Sequence, residues 1–227
     1  MAAATRPTVP YYDRSDAGRV LAEALRPYSF DRPLILGVPR GGVVVAKEVA
    51  RALEAPMDVI VTRKLGAPGQ PEFAVGAVAP GGVLYLDRRS GWDEGRLETV
   101  IEREQAELQR RVELYRHTDV FPDVSGRDVI VVDDGIATGR TAFAALRSVR
   151  RAGAKRIVLA VPVCPRESVE QFEDEADEFV CPCRPDDFFA VGEWYVHFDS
   201  VSDEQVLRCL EEMRRPETSG ERADSDT

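Results

Sequence analysis

"DVIVVDDGIATGRTAF", residues 128–143, carries an apolar run straight into two adjacent carboxylates and then into a turn of small and hydroxylated residues. The apolar run has the length and β-branched content of a buried strand, placed here at 128–132. The following "RTAFAALRSVRRA" repeats its apolar residues helically, so a helix is expected over 140–152, stopped by Gly153. Between the two, Asp133 and Asp134 repel each other and cost stability unless hydroxyl or amide donors meet them. A vicinal ribose diol supplies two such donors. The turn formed by Gly135, Ile136, Ala137, Thr138, Gly139, Arg140 and Thr141 offers successive backbone N–H groups, hydroxyls and a helix N-terminus, which together make an anion cradle. Gly139 permits close approach or a positive φ. Diol and phosphate on one ligand describe a ribose 5-phosphate unit. Ordinary capping would explain Thr138 or Thr141, but not the paired acids in front of them.

Strand and helix patterns alternate on either side of this stretch. "DRSDAGRVLAEALRPY" places Ala17, Val20, Leu21, Ala24 and Leu25 on one helical face, with Asp13, Ser15 or Asp16 as caps. "RPLILGV" reads as a buried strand, "GGVVVAKEVARALEA" as a helix, and "MDVIVT" as a second strand from Met57 to Thr62. "RKLGAPGQPEF" is rich in Gly and Pro without periodicity and reads as a loop, while "AVGAVAPGGVLYLD" reads as a hairpin turning at "PGG". Residues 93–116 form a long surface helix with Leu97, Ile101, Leu108, Val112 and Tyr115 on one face. Next come the strand "RIVLAVPV", the helix "PRESVEQFEDE", the strand "ADEFVC" and a last helix, "SDEQVLRCLEEMRR", capped by Ser202.

This alternation predicts an α/β fold with an open, mostly parallel, Rossmann-like sheet flanked by helices, carrying a small hood and hairpin appendage. We expect an N-terminal arm at 1–11, one domain over 12–214 with its hood at 184–200, and a polar, disordered tail at 215–227. Ligands of such sheets sit at the carboxyl ends of the strands, which singles out "GVPRGG", "TRKLGAPGQPEF" and "DDGIATGRT".

The 227 residues are 44% hydrophobic, enough to bury a substantial core. No run approaches the roughly 18 apolar residues of a membrane span, and the N-terminus lacks the order of a secretory signal, so a cytoplasmic protein with no membrane partner is expected. A net charge of −10 argues against nucleic acid as a partner. "GVPRGGVVVAK" lacks the adjacent Lys-Ser/Thr of a nucleoside triphosphatase loop. Cys164, Cys181, Cys183 and Cys209 read as small buried thiols, because "CPC" is not the spacing of a zinc knuckle.

"VIVVDDGIATGRT" resembles the phosphoribosyl-pyrophosphate (PRPP) signature of the type I phosphoribosyltransferases, and the resemblance extends over roughly residues 12 to 212, towards bacterial members whose acceptor is unassigned. It implies that Asp133 and Asp134 bind the ribose hydroxyls and that the turn 135–141 binds the 5′-phosphate. "GVPRGG" resembles the family's pyrophosphate loop, which assigns Pro39, Arg40, Gly41 and Gly42, with a cis peptide between Pro39 and Arg40. Arg63 and Lys64 would neutralise the departing pyrophosphate, beside a mobile lid spanning Gly66 to Pro71. Mg²⁺ is implied as a substrate-bound cofactor with no protein ligand directly assigned, although Glu72 is a candidate to orient the lid or assist the ion.

"DDFFAVGEWYVHF", residues 186–198, resembles the region where purine-salvage members stack the base. Phe189 matches the stacking position, and Ala190, Val191 and Gly192 offer backbone to read the base edge. Phe188, Trp194, Tyr195 and Phe198 read as core packing. Ala137 stands where hypoxanthine–guanine enzymes carry an acid, and Cys164 falls near their selecting lysine, so that assignment is disfavoured. The implied activity is Mg²⁺-dependent transfer of phosphoribosyl from PRPP to a nitrogenous base or related acceptor, releasing pyrophosphate, in nucleotide salvage or related metabolism. The alternative is a PRPP-binding regulator or sensor without turnover. Family members are commonly dimers or tetramers, which implies a homodimer or higher homo-oligomer, with helix 93–116 as a possible face.

Overall fold

The computed structural model describes residues 9–214, so most of the expected N-terminal arm and all of the expected tail lie outside the described residues. In chain order the elements begin with α1 (Arg14–Leu25), β1 (Leu34–Gly37), α2 (Gly41–Ala52), β2 (Met57–Val59), β3 (Arg63–Ala67), β4 (Gln70–Ala79) and β5 (Val83–Leu86). They continue with α3 (Glu94–Arg116), β6 (Asp128–Val132), α4 (Arg140–Arg151), β7 (Arg156–Ala160), α5 (Ser168–Gln171), β8 (Glu178–Val180) and α6 (Asp203–Arg214).

Five strands form one sheet in the order β2-β1-β6-β7-β8, every neighbouring pair parallel. Its strands alternate faces, as a pleat with period two requires. Ile35, Ile130, Val132 and Val158 pack with Leu21, Val45, Val49, Leu97 and Leu210 from α1, α2, α3 and α6. Leu34, Leu36, Val129, Val131 and Ile157 face the other way, onto Phe143, Leu146 and Val149 of α4. Burial on both sides is why these strands read as unbroken apolar runs. Among the described residues no helix is long and apolar enough to cross a membrane.

The helix termini follow the sequence chemistry. Asp13 caps α1 by accepting from the Asp16 N–H at 2.8 Å. Ser202 and Gln205 cap α6 reciprocally: the Gln205 N–H donates to Ser202 Oγ at 3.3 Å, and the Ser202 N–H donates to Gln205 Oε1 at 2.8 Å. On α3 the stripe Leu97, Ile101, Leu108, Val112 and Tyr115 is buried as its spacing predicts.

Several expectations are corrected. The segment read as a loop after the second strand is β3, paired antiparallel with β4 in a separate three-stranded sheet β3-β4-β5. Its pairing slips at Leu65/Gly66 and Gly66/Ala67, which erases the alternation a strand shows in sequence. The second strand ends at Val59 rather than Thr62, although the Ile60 N–H still donates to the Gly37 carbonyl at 3.0 Å. The helix expected in "PRESVEQFEDE" shrinks to Ser168–Gln171 because Phe172 dives into the core, stacking on Phe143 at 4.4 Å. The expected hairpin over "AVGAVAPGGVLYLD" is present as β4 and β5, with Gly81 and Gly82 at positive φ in its turn.

The connectivity places the crevice. From β1 the chain passes through α2 to β2 on one side, whereas β6 lies on the other side of β1 and leads into α4 on the opposite face. Gly37 and Val132 are in register at the ends of these two strands. Their outgoing loops therefore diverge from a common point, and the gap between them is the switch-point crevice of an open parallel sheet.

Candidate active site

The loops after β1 and β6 leave the sheet touching. The Val38 N–H donates to the Val132 carbonyl at 2.8 Å. The Pro39–Arg40 peptide is cis, as expected, and Gly41 opens α2. A Cβ on Gly42 would lie 2.8 Å from both Asp133 Cα and the Val132 carbonyl oxygen. A Cβ on Gly41 would overlap the Asp134 carboxylate. The glycines of "PRGG" are therefore the condition for the two loops to share one crevice.

The acidic pair is held from several sides. Asp133 Oδ1 accepts from the Asp134 N–H at 2.8 Å. Arg14 Nε donates to Asp134 Oδ2 at 2.7 Å, and these side chains are only 11% and 17% exposed. The Asp134 carbonyl accepts from the Tyr195 hydroxyl. Burial, and then the neighbouring Asp134 charge, push the Asp133 carboxyl well above the ordinary carboxylate range. Burial, helped by Asp134, also raises the Tyr195 phenol, so it stays a donor.

Arg14 was missed by reading the sequence. It lies 120 residues from its partner, and the one local signal is a cation in the first turn of α1, where the helix dipole disfavours it.

The turn expected to cradle a phosphate leads into α4. Gly139 has φ 72° and serves as the N-cap of α4 with no side-chain cap, so first-turn amides are left unspent. Ala137 and Thr138 are exposed beside it, and Thr141 is half-buried. Two expected members turn elsewhere. The Ile136 N–H donates to the Val163 carbonyl at 3.0 Å and its side chain lies in the core, so it offers the cradle no free amide. Arg140 reaches towards the end of β5, where Nη2 donates to Asp87 Oδ2 at 2.7 Å.

Of the basic residues, Arg63 is tied and Lys64 and Arg40 stand exposed beside carboxylates. Arg63 donates to Glu104 Oε2 from Nε at 2.9 Å and from Nη2 at 2.6 Å. Glu104 is 7% exposed and also accepts from Arg103, so Arg63, expected to neutralise a departing pyrophosphate, is held by a buried carboxylate. Lys64 stands 3.5 Å from Glu72, both exposed. Arg40 is exposed at the mouth of the crevice, 3.9 Å from Asp203 Oδ1, which also accepts from the Tyr115 hydroxyl at 2.5 Å.

The hood rests on the acidic turn. A Cβ on Gly135 would meet Val191 Cγ1 at 2.5 Å. Phe189 is 87% exposed, whereas Phe188 stacks parallel to Trp194 and Tyr195 packs against Tyr11, the packing roles read from sequence. Phe198, 36% exposed, packs on Tyr195 with ring centroids 4.9 Å apart and has the Arg14 guanidinium 3.9 Å from its own centroid. The Ala190 carbonyl accepts from the Glu193 N–H, which occupies one backbone group expected to read a base. Residues 11–12 are part of the hood, since the Tyr11 N–H donates to the Trp194 carbonyl and its own carbonyl accepts from Val196, both at 2.8 Å.

All four cysteines are free and buried, with Cys164 and Cys181 Sγ atoms 3.3 Å apart. Among the described residues no group of three or more His, Cys, Asp or Glu gathers to hold a metal. The Asp133–Asp134 pair has the hard oxygen donors that suit a Mg²⁺ ion completing its shell with outside ligands.

The phosphoribosyl transferase domain model matches residues 13–199. A curated Mycobacterium tuberculosis (strain H37Rv) protein named "Putative phosphoribosyl transferase" is 46% identical over 207 residues, covering 89% of this chain and 47% of that protein. The chain thus spans about half the length of the curated relatives it matches. The transcriptional regulator GfcR of Halobacterium salinarum is 26% identical over 147 residues, 65% of this chain and 51% of the regulator. The crystal structure of TT1426 from Thermus thermophilus is 47% identical, covers 89% of this chain and 98% of that one, and has a TM-score of 0.76.

Proposed function

The chain belongs to the phosphoribosyl transferase family, and from that premise we propose that it transfers the phosphoribosyl group of PRPP to a nitrogenous acceptor, releasing pyrophosphate. The observation that supports the reading is the packing of Gly41 and Gly42 onto Asp133 and Asp134, which brings the loop after β1 and the acidic turn after β6 to one crevice. Asp133 and Asp134 bind the ribose hydroxyls and fix the sugar. The Thr138 and Thr141 hydroxyls with the first amides of α4 hold the 5′-phosphate. Arg40 and the amides of Gly41 and Gly42 receive the pyrophosphate as the bond at C1 lengthens. Phe189 stacks the acceptor, which an apolar ring left in solvent favours. Asp133 and Asp134 are the carboxylates at the crevice that would serve a substrate-bound Mg²⁺, which would supply charge neutralisation. Positioning and charge stabilisation provide most of the acceleration, and the site belongs to nucleotide salvage or related metabolism.

The sensor reading has specific support in the Arg63–Glu104 pair, which withholds one expected lid cation, and in the relative named a transcriptional regulator. One experiment separates the two. The protein is incubated with PRPP, Mg²⁺ and a panel of purine and pyrimidine bases, and pyrophosphate release is followed beside calorimetric binding of PRPP. Release with any acceptor supports transfer; tight binding with no release across the panel supports the sensor; absence of PRPP binding overturns both.

A further inference from the structure

Arg14 has no place in the roles assigned so far, yet it is bonded directly to the acidic pair. Its Nε donates to Asp134 Oδ2 at 2.7 Å, its Nη1 donates to the Asp199 carbonyl at 2.7 Å, and its guanidinium lies 3.9 Å from the Phe198 centroid. The acidic turn and the hood are thus tied to one planar group. The glycine loop is the third party, because a Cβ on Gly41 would come within 2.8 Å of Arg14 Nε as well as overlapping Asp134.

The placement of Arg14 is itself built. Tyr11, fully buried, donates its hydroxyl to the Pro162 carbonyl at 2.9 Å, and Asp13 caps the helix that Arg14 begins. Gly18 lets α1 settle onto α2, since a Cβ there would lie 2.8 Å from the Val45 carbonyl oxygen. A cation at the first position of a helix opposes the dipole, and nothing in the packing of α1 requires it. What Arg14 gains is Asp134: an adjacent pair of carboxylates needs a fixed counter-charge to stay paired without turning apart. A guanidinium bonds through a rigid fork, so it sets direction as well as charge.

We propose that Arg14 is a positioning residue of the phosphoribosyl site, holding the Asp134 carboxylate at a fixed angle between the glycine loop and the hood. It acts through Asp134, leaving Oδ1 as the acceptor for the sugar. This rests on the proposed PRPP site.

The test is a double-mutant cycle on PRPP affinity with Mg²⁺ present, measured by calorimetry for wild type, Arg14→Gln, Arg14→Lys, Asp134→Asn and Arg14→Gln/Asp134→Asn, with thermal unfolding of each. Arg14→Gln is expected to weaken PRPP binding at least tenfold and Arg14→Lys to recover part of that loss. The double variant should bind no more than about twofold worse than Asp134→Asn alone, the signature of one residue working through the other. Wild-type affinity in Arg14→Gln, or losses that multiply in the double variant, would overturn the proposal. If Arg14→Gln does not fold, Arg14→Lys and its combination with Asp134→Asn carry the same comparison. A wild-type protein that binds no PRPP sinks the functional reading and this inference together, whereas multiplying losses in a binding protein sink the inference alone.

Discussion

Gly41 lies against the carboxylate of Asp134, so close that a single methyl group on it would overlap the acid. Gly41 opens α2 after β1 and Asp134 lies in the turn after β6, so the two meet where the segments leaving neighbouring strands diverge. Gly41→Ala should therefore push Asp134 aside and lower PRPP affinity by tenfold or more, while the circular dichroism spectrum stays that of the wild type. Calorimetry on a folded Gly41→Ala protein with undiminished affinity would remove the glycine loop from the site.

Asp133 is held at a cost to the fold. Its carboxyl is raised above its ordinary value by burial and by Asp134, with Arg14 and Tyr195 as the other ionisable neighbours of the pair. A raised acid penalises the folded state as pH climbs from about 4 towards the raised value, and carries no penalty below about pH 4. Asp133→Asn keeps an oxygen to accept from the Asp134 N–H and removes the charge. The variant should melt several degrees higher than wild type at pH 7–8 and no higher at pH 3.5, and it should lose PRPP binding. Equal melting temperatures at pH 7–8 would contradict the penalty.

Glu104 anchors β3 to α3 through Arg63. Arg63→Met leaves that buried carboxylate with Arg103 alone, a partner on the exposed side of α3. We expect a loss of about 1–3 kcal/mol in urea unfolding. Arg63→Met/Glu104→Leu should regain most of it, because the isolated charge is then gone. If Arg63 contributes to pyrophosphate binding only after leaving Glu104, Glu104→Gln will strengthen PRPP binding; an unchanged affinity assigns Arg63 to structure.

Phe172 supports the turn at 135–141 through Gly139. It stacks on Phe143 at 4.4 Å, and a Cβ on Gly139 would meet its ring at 2.6 Å. Phe172→Ala should cost about 3–5 kcal/mol by chemical denaturation. Gly139→Ala should be destabilised as well, by about 1 kcal/mol or more, since φ 72° is unfavourable to a side chain and the ring blocks its space.

Phe189 offers the opposite case. A ring 87% exposed contributes little to folding, so Phe189→Ala should change stability by less than about 0.5 kcal/mol. Its effect should fall on the KM of the acceptor and leave that of PRPP alone. An unchanged acceptor KM would move the stacking role elsewhere in the hood.

The residues fall into two groups by how far apart their partners lie. Strands β1, β6 and β7, helices α3 and α4, and the turn at 133–141 were legible because each is a contiguous run whose period or polarity carries its own explanation. Hydrophobic residues at a period of two or 3.6 can be buried only one way, and adjacent acids running into a glycine turn are costly without a ligand. The β3–β4 pairing was not legible, since register slips at Gly66 remove the alternation and only the partner strand satisfies its backbone.

What the chain alone determined, then, is where its adjacent acids and glycine turns sit along it and which layers its apolar stripes build. The tertiary structure decided which of those groups are free to act. Ile136 lost its amide to Val163, Arg63 its charge to Glu104, and Arg140 its guanidinium to Asp87, while Arg14 gained Asp134 across 120 residues. Charges and hydrogen-bonding groups act over a few ångströms of space whatever their separation in sequence, so their partners exist only once the sheet has brought the strand ends together.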